Sequence, residues 1–434
     1  MLAPLAPEVI TLGCRLNIAE SETIRGLLGT RDVVVVNSCA VTNEAVKATR
    51  AAIRKARRQR PDAEIIVTGC AATIDPTGFA AMAEVDRVVG NLDKLAVHHW
   101  SPAIPAPSDD VAGLTATDAG FIGHARALVE VQNGCDHRCT FCAIPFGRGP
   151  SRSIPAGAVV ERIANLVAAG HREVVLTGVD LTSYGHDLPG NPTLGHLVER
   201  ILKLVPALPR LRLSSLDGIE IDDRLFDLLT GEDRVMPHVH LSLQAGDDLI
   251  LKRMKRRHSR AQSVALVSRL KARRPGIAIG ADVIAGFPTE DDSAFANSLA
   301  LIADCDIVHA HIFPYSPRAG TPAARMPQVA PVVVKDRAAR LRAVAAEHRA
   351  VWLSSLVGTE QRVLVEAPGD RGHAENFAEV TFPTSPRTEP VDGQPSPGGS
   401  PETHRRSTSS RPTRGLVNAR ITHIVDGKLI GQHS

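Results

Sequence analysis

The chain has 434 residues, a formal net charge of +3 and 43% hydrophobic residues, enough apolar side chains for the cores of two or three domains. No run of about 18 apolar residues is present, so we expect no membrane span. The first residues lack the basic start and apolar stretch of a signal peptide. The seven cysteines follow metal-site spacing rather than a disulfide framework, which favours a reducing, cytoplasmic location. The charge is too small to indicate nucleic-acid binding by itself.

The first 100 residues alternate strand-like and helix-like segments. Nearly continuous apolar runs at 9–12, 33–36 and 64–68 are typical of buried parallel strands. Helical stretches at 19–28 and 44–60 separate them. We therefore predict an α/β fold that begins with an open parallel α/β sheet domain over 1–100. A linker over 101–123, rich in Pro, Ala, Ser and Asp, is expected to follow it.

Each of these three strands is followed by a cysteine, namely Cys14, Cys39 and Cys70 (the strand-end cysteines). Ligands of open α/β sheets bind outside the carboxyl ends of the strands. Three thiols that are far apart in sequence are therefore expected to converge on one edge of the sheet. This placement favours a three-thiolate cluster site, with buried structural thiols as the alternative.

Two basic clusters interrupt an otherwise balanced charge distribution. The first covers 47–60 without an acid, and five of its residues share one helical face that suits a phosphate backbone: Lys47, Arg50, Arg54, Arg57 and Arg58. The second consists of Lys252, Arg253, Lys255, Arg256 and Arg257. Either cluster alone is equally explained by a solvated helix face. Taken with the chemistry below, RNA binding is the favoured interpretation.

The β/α alternation resumes over 124–355. Six β/α units rather than eight predict a partial (β/α)6 barrel, whose catalytic groups are expected at the C-terminal ends of its strands. A long helix is predicted at 331–351. The strands are expected at 128–132, 173–177, 211–215, 238–243, 277–284 and 307–313, and helices between them at 155–169, 222–230, 259–273 and 290–303.

The last part of the chain, 356–434, predicts a small β-barrel with strands at 361–366, 377–382 and 416–424. Residues 383–414 are dense in Pro, Ser, Thr, Gly and Arg. Such a segment has too little apolar surface to fold, so we predict a disordered insertion.

The first barrel strand is followed by Cys135-Asp136-His137-Arg138-Cys139-Thr140-Phe141-Cys142. We call Cys135, Cys139 and Cys142 the loop cysteines. Four thiolates would complete the protein ligands of a 4Fe–4S cluster. Three leave one iron open, and an open metal position is where substrate chemistry takes place. A zinc knuckle or buried thiols are the alternative, but no complementary Cys/His pair lies close by.

The spacing of the loop cysteines resembles that of the radical S-adenosylmethionine (SAM) enzymes. Nearly the whole chain is similar to the tRNA methylthiotransferases within that group. Residues 372–377 are similar to the TRAM barrel, the RNA-binding domain that closes these proteins. Residues 214–218 depart from the family, which more often carries Glu-Pro there. The similar segments are 11–17, 37–43, 67–71, 142–153, 240–244, 280–288 and 313–321.

The resemblance implies two 4Fe–4S clusters and SAM as cofactors. The cluster on the loop cysteines would reduce SAM to methionine and a 5′-deoxyadenosyl radical. The cluster on the strand-end cysteines would hold a sulfur species that a second SAM methylates before its transfer. Phe141 is expected near the SAM adenine and Gly178 near its amino-acid end, with a core aromatic and a plain turn glycine as the alternatives.

Residues 41–45 and the basic helix after them are most similar to the branch that acts on N6-threonylcarbamoyladenosine. That branch adds a methylthio group to carbon 2 of this nucleoside beside the anticodon. The implied partners are the tRNA anticodon loop, an electron-donor protein and a sulfur source. The alternatives are the same chemistry on isopentenyl-adenosine or on a ribosomal-protein side chain, and a non-catalytic RNA-binding iron–sulfur protein.

A few further residues carry weaker expectations. Arg148 and Arg152 are expected either to contact substrate or phosphate or to lie on the surface. Cys305 belongs to neither cysteine group and is predicted to be a core thiol. None of the 17 histidines is assigned to a metal.

Overall fold

A computed structural model describes residues 6–100, 125–383 and 415–433. The chain forms two compact units, Met1–Trp352 and Leu353–Ser434. The predicted linker and all but the first residue of the predicted insertion lie outside the described residues, and the domain boundaries at 100 and 355 stay predictions. Of the helices in the described part, none is both long and apolar enough to cross a membrane.

The first unit begins with the predicted open sheet. Its four strands are parallel and lie in chain order, with Val34 of the second strand opposite Glu8 of the first and Ile65 of the third. The second strand is buried along its whole length, as its continuous apolar run requires. The elements are β1 (Glu8–Thr11), α1 (Arg15–Leu27), β2 (Val33–Ser38), α2 (Asn43–Gln59), β3 (Glu64–Gly69), α3 (Cys70–Ile74), α4 (Pro76–Ala80) and β4 (Arg87–Val88).

The same unit continues as the predicted partial barrel. Its strands are β5 (Arg126–Glu130), β8 (Glu173–Thr177), β9 (Arg210–Leu213), β10 (Ser215–Leu216), β11 (His238–Gln244), β12 (Ala278–Ala285) and β13 (Ile307–Pro314), and a small pair is formed by β6 (Gln132–Asn133) and β7 (Arg152–Ser153). The strands pair in parallel as β5-β8-β9 and β10-β11-β12-β13. Because only Ser214 separates β9 from β10, these two strands together occupy one position in the barrel. The barrel therefore has six strand positions, which follow one another in chain order.

The barrel helices include three for which the sequence analysis gave no range, namely α5 (Ile144–Arg148), α7 (Leu194–Leu204) and α9 (Asp248–Met254). Helix α7 buries Leu194, Leu197, Val198 and Ile201 on one face, and its first turn is closed by a capping box between Thr193 and His196. The helices are α5 (Ile144–Arg148), α6 (Ala156–Ala168), α7 (Leu194–Leu204), α8 (Asp223–Gly231), α9 (Asp248–Met254), α10 (Arg260–Arg273), α11 (Asp292–Asp304) and α12 (Pro331–Ser355).

Charged side chains are buried at the N-terminal ends of the first barrel strands, where branched aliphatic residues are usual. Glu173 accepts hydrogen bonds from Arg126 (2.7 Å) and Arg212 (3.0 Å), and Arg210 lies 3.6 Å away. Burial opposes the charged form of Glu173, but the positive charges of Arg212 and Arg126 outweigh it and hold its pKa well below the usual range. This carboxylate therefore links three neighbouring strands.

The second unit is a closed five-stranded barrel, which confirms the predicted fold class. Two strands were missed. The last one follows Asp426-Gly427, both at positive φ, so the Asp-Gly pair was an available hairpin signal. Its core includes Val363, Val365, Val380 and Leu429. The strands are β14 (Glu360–Glu366), β15 (Arg371–Ala374), β16 (Glu379–Thr381), β17 (Gly415–Val425) and β18 (Lys428–His433), paired as β14-β15-β16-β18-β17.

Replacing Glu173 by Gln is expected to destabilise the protein by about 3–5 kcal/mol. The substitution removes the negative charge that compensates the buried guanidinium groups of Arg210 and Arg212. The free energy of unfolding in urea measures this. Glu199→Gln is the matched control, since Glu199 pairs with Arg224 at the exposed surface and should change stability by at most about 1 kcal/mol. Equal effects of the two substitutions would contradict a structural role for the buried charge.

Candidate active site

A cavity of about 720 Å³ lies in the first unit, at the carboxyl ends of the strands. All three strand-end cysteines line it. The loop cysteines are absent from the lining, but Phe141 and Ile144 from the same loop contribute to it, and so does Gly178. On the barrel side the lining includes His240, Asp282 and His311. The structure thus brings residues from both predicted cysteine sites to one space.

Two glycines allow the strand-end cysteines to approach one another. Gly13 has φ +98°, and a Cβ there would lie 2.7 Å from Cys39 Cβ and 2.8 Å from its Sγ. Gly69 has φ +95°, and a Cβ there would lie 2.4 Å from the carbonyl oxygen of Ser38. Both positions favour glycine for conformational as well as steric reasons. Strands β1 and β3 therefore each lead into a glycine that directly precedes a cavity-lining thiol, Cys14 or Cys70.

Asparagine side chains that the sequence analysis did not single out hold the strand ends together. Asn17 donates to the carbonyl oxygens of Leu12 (2.6 Å) and Ser38 (3.0 Å). Asn91 donates to Cys70 Sγ (3.5 Å) and to the Gly147 carbonyl oxygen (2.5 Å). Asn17 comes three residues after Cys14, in the first turn of α1. This position next to a strand end was the sequence signal that could have indicated its role.

The strand-end thiols are electrostatically coupled. Burial raises the pKa of the Cys39 thiol, and the neighbouring Cys14 and Cys70 raise it further, although the Val41 backbone N–H and the charge of Arg148 oppose this. Three adjacent thiolates repel one another unless a cation lies between them. The donor set is therefore suited to a metal cluster, whose binding would release protons.

The loop cysteines lie in a short turn after β5 and β6. The backbone N–H of Cys142 donates to the Cys139 carbonyl oxygen (3.1 Å), and Ile144 N–H donates to Cys142 Sγ (3.4 Å). Burial raises the pKa of Cys142 to about 11, and Cys139 contributes in the same direction. Burial also raises the pKa of Cys135, together with the carboxylate of Asp180.

Part of the second basic cluster supports this loop instead of pointing to solvent. Arg256 lies with a guanidinium nitrogen 3.7 Å from Cys139 Sγ and donates to Asp217 (2.9 Å). Arg253 donates to Thr289 Oγ1 (2.7 Å). For Arg256 the alternative of a solvated helix face is therefore wrong, because its side chain is only 8% exposed, and RNA contact by this cluster stays a prediction.

The first basic cluster on α2 is divided in a similar way. Arg50 and Arg57 form ion pairs with Asp75 and Asp86 of the same unit. The remaining positions at 47, 54, 55 and 58 are exposed. Helix α2 thus keeps an exposed basic surface, although it is smaller than the sequence alone indicates.

Phe141 and Gly178, the two predicted SAM contacts, both line the cavity. The Phe141 ring also packs edge-on against Phe287, with ring centroids 6.3 Å apart. A Cβ at Gly178 would lie 2.9 Å from Gln132 Oε1, so this position has no room for a side chain. Both placements are compatible with the predicted roles, which stay predictions.

A buried ion-pair network connects the two cysteine groups. Glu20 of α1 accepts hydrogen bonds from Arg148 (2.8 Å) and Lys94 (2.5 Å), and Arg148 also donates to Asn17 (2.6 Å). Burial opposes the charged form of Glu20, but Lys94 and Arg148 lower its pKa to about 2. Arg148 is 2% exposed. The expected surface role of Arg148 is therefore wrong, because its guanidinium is bonded inside the protein. Arg148 also lines the cavity, so contact with substrate stays a prediction.

Gly147, beside Arg148, packs directly on Cys70. A Cβ at Gly147 would lie 3.1 Å from Cys70 Cβ and 3.2 Å from its carbonyl oxygen. The charge of Cys70 contributes to the raised pKa of Cys142.

Cys305, in contrast, is fully buried in the main core, as predicted.

Comparisons with known proteins agree with this geometry. The Radical SAM superfamily matches residues 129–302, and "Uncharacterized protein family UPF0004" matches residues 7–90. A Rickettsia prowazekii protein named threonylcarbamoyladenosine tRNA methylthiotransferase MtaB is 48% identical over 384 residues, covering 87% of this chain and 91% of the relative. The chain belongs to the radical-SAM tRNA methylthiotransferase family.

Other relatives in this family are more distant. A Bacillus subtilis protein with the same name as the Rickettsia relative is 33% identical over 405 residues, covering 86% of this chain and 89% of that protein. A Staphylococcus aureus protein named tRNA-2-methylthio-N(6)-dimethylallyladenosine synthase is 30% identical over 390 residues, 82% of this chain and 74% of the relative. The radical SAM methyltransferase TsrM from Kitasatospora setae has the same fold, with a TM-score of 0.50 at 16% identity over 74% of this chain and 77% of that one.

Radical-SAM membership implies SAM and one 4Fe–4S cluster as cofactors. The loop cysteines suit this cluster, because three thiols lie within one loop, 135–142, and a cation, Arg256, is already placed beside one of them. The match to residues 129–302 includes all three.

Replacing Arg148 by Met is expected to cost about 3–5 kcal/mol of stability, since Glu20 would keep its buried charge with one partner fewer. Urea denaturation of the metal-free protein measures the loss. Arg152→Met is the control, because Arg152 donates only to the backbone carbonyl oxygens of Arg148 and Pro150 in the described structure. If Arg148→Met were as mild as the control, the network would not hold this region together.

In the metal-free protein, Cys142 is expected to react slowly with iodoacetamide at pH 8. A thiol with a pKa of about 11 is ionised in only about one molecule in a thousand at that pH. Its alkylation rate should rise about tenfold per pH unit between pH 8 and 10, as followed by peptide mass spectrometry. Urea-unfolded protein is the reference, and a native rate equal to the unfolded rate at pH 8 would contradict the raised pKa.

Proposed function

We propose that this chain adds a methylthio group to carbon 2 of N6-threonylcarbamoyladenosine beside the anticodon of tRNA. The observation that carries the proposal is the shared cavity, which is lined by the strand-end cysteines and by Phe141 from the loop between the other cysteines. Sulfur and radical chemistry need such a common space, because the reacting atoms have to meet within a few ångströms. The more similar relatives carry the name of this activity.

The proposed ligands of the two clusters are the six cysteines of the two groups. Cys14, Cys39 and Cys70 would hold an auxiliary 4Fe–4S cluster, and Cys135, Cys139 and Cys142 would hold the radical-SAM cluster. When bound, the clusters and SAM supply the adenosyl radical and the methylated sulfur, and an electron-donor protein and a sulfur source are needed to renew them. Phe141 and Gly178 are the proposed SAM contacts.

The surrounding residues tune and orient these ligands. Arg256 donates toward Cys139 Sγ, and a donor with a positive charge favours the thiolate form. Asn91 places a donor on Cys70, while Asn17 fixes the turn that carries Cys14. Since these polar groups are bonded before any ligand arrives, the site pays little reorganisation cost when it is loaded.

Helix α2 provides a proposed route for the RNA backbone. The residues just before and within its first turn, Thr42 and Ala45, line the cavity. Asn43 contacts the barrel through Ser316 and Pro317, so the start of the helix is held at the cavity. The exposed basic positions lie along the same helix, where they can neutralise phosphates of the anticodon stem–loop. The C-terminal barrel is the second proposed RNA-binding element.

The test uses a host that lacks 2-methylthiolation of threonylcarbamoyladenosine and expresses the wild type, Cys14→Ala, Cys139→Ala or Cys305→Ala. Mass spectrometry of tRNA nucleosides should show the 2-methylthio form with the wild type and with Cys305→Ala only. Cys305 is the matched control because its thiol is buried in the core, away from the cavity. The purified wild type should carry about eight irons per chain, and Cys14→Ala about four.

Two results would contradict the proposal in different ways. If the wild type carries two clusters and cleaves SAM while threonylcarbamoyladenosine stays unmodified, the substrate is wrong, and isopentenyl-adenosine or a ribosomal-protein side chain is tested next. If the protein binds tRNA but leaves SAM intact under anaerobic reducing conditions, it is an RNA-binding iron–sulfur protein and not an enzyme of this class.

A further inference from the structure

Three side chains from adjacent barrel strands form a connected cluster on the cavity wall. His240 of β11 lies with Nε2 2.9 Å from Asp282 Oδ1, and His311 of β13 lies with Nδ1 3.1 Å from the same oxygen. The two imidazole rings are 4.6 Å apart between centroids. All three residues line the cavity. The barrel thus places a carboxylate between two imidazoles where substrate has to enter.

The inner part of this cluster is fixed by its surroundings. His240 is buried, and a Cβ at Gly280 would lie 2.4 Å from its Nδ1, so the glycine makes room for the ring. Burial disfavours the charge on Asp282, but the hydrogen bonds from His240 and His311 outweigh it and keep its pKa well below the usual range. An ionised Asp282 therefore accepts from both rings and sets their orientation.

His311 is the member of the cluster that can meet a ligand. Its side chain is 57% exposed, and within the described residues only its Nδ1 has a hydrogen bond. Because Nδ1–H is donated to Asp282, the other ring nitrogen, Nε2, remains for an incoming group. When the ring is protonated this nitrogen donates, and a hydrogen bond from a cation to an anion is among the stronger kinds.

The charges around the cavity favour an anionic group. Of the described residues that line it, Asp282 is the only one with a carboxylate, whereas Arg15 and Arg148 each contribute a guanidinium group. Burial lowers the pKa of Arg15, and the positive charges of Arg126 and Arg212 lower it further, although the carboxylates of Glu173 and Asp282 oppose this. A carboxylate that entered beside His311 and Arg15 would reduce this repulsion.

We infer that His311, oriented by Asp282 and His240, is a specificity-determining residue that binds the carboxylate of the threonylcarbamoyl group. The inference rests on the proposed function and names the part of the nucleoside that selects the substrate. An isopentenyl group offers no hydrogen-bonding atom, so it would leave Nε2 of His311 without a partner on the substrate. Sites built around such a bond reject analogues that lack it far more strongly than apolar pockets reject a size change.

The test compares anticodon stem–loop RNAs that differ only at the target nucleoside. Four RNAs are used. Their target nucleosides are N6-threonylcarbamoyladenosine, its glycylcarbamoyl analogue, which keeps the carboxylate, its methyl ester, in which the carboxylate is neutralised, and plain adenosine. Binding is measured by fluorescence anisotropy on the cluster-loaded protein without SAM, and kcat/KM is measured with SAM and reductant. The binding readout does not depend on turnover.

His311→Phe keeps an aromatic ring and removes the hydrogen bond. We expect affinity and kcat/KM for the threonyl and glycyl RNAs to fall by about 10- to 100-fold, with little change for the ester and for adenosine. His311→Gln, which keeps a polar end, should fall between the wild type and His311→Phe. His309→Phe is the matched control on the same strand, because His309 packs against His238 and Trp352 and does not line the cavity. Thermal melting shows that each variant is folded.

The outcomes separate this inference from the proposed function. A wild type that cleaves SAM but does not methylthiolate the threonylcarbamoyl RNA overturns the proposed function, and the inference with it. A wild type active on the threonylcarbamoyl RNA, with His311→Phe unchanged or equally weakened on all four RNAs, overturns the inference alone. A divalent ion that binds one per chain and is lost in His311→Gln would identify a metal site and would also overturn it.

Discussion

The carboxylate of Glu20 is the group on which the arrangement of the cavity depends. It accepts hydrogen bonds from Arg148, which lies just beyond the loop cysteines, and from Lys94, which lies near the end of the first sheet domain. All three side chains are almost completely buried. Removing one charge would leave the others uncompensated in a medium of low polarity, which is strongly unfavourable. Helix α1, beginning after Cys14, is therefore fixed to α5, beginning after Cys142.

This connection explains why the strand-end cysteines and the loop that carries the other three cysteines meet at one cavity, which Phe141 of that loop lines. The strand-end cysteines follow three parallel strands of the first sheet and the loop cysteines follow the first barrel strand, so topology alone would place each set on its own sheet edge. The buried ion pairs bring the two edges together, and the close contact of Gly147 with Cys70 leaves no space for a larger residue between them. The charge of Cys70 therefore contributes to the raised pKa of Cys142. Geometry and electrostatics of the two sites are consequently coupled.

The interior of the barrel differs from the usual packing of branched aliphatic side chains. Buried charge at Glu173 and its arginine partners occupies the N-terminal end, and the His240–Asp282–His311 cluster lies farther along, at the cavity. Polar interiors are costly unless every group is bonded, but bonded networks fix side chains in one orientation. Such a barrel can hold polar substrate groups in a defined position, which an aliphatic interior cannot.

Much of the fold was predictable because strands and cysteine spacing are local properties of the chain. The apolar runs located the parallel strands, and the position of each thiol after a strand indicated which residues would converge. The partners of Arg148 and Arg256 were not predictable, since Glu20 is 128 residues from Arg148 and no local pattern marks the pair. His240, Asp282 and His311 lie on three strands and look unremarkable in sequence. The sequence by itself determined the elements and the candidate ligands; only the tertiary structure decided which charges are buried together, because burial depends on neighbours that are distant along the chain.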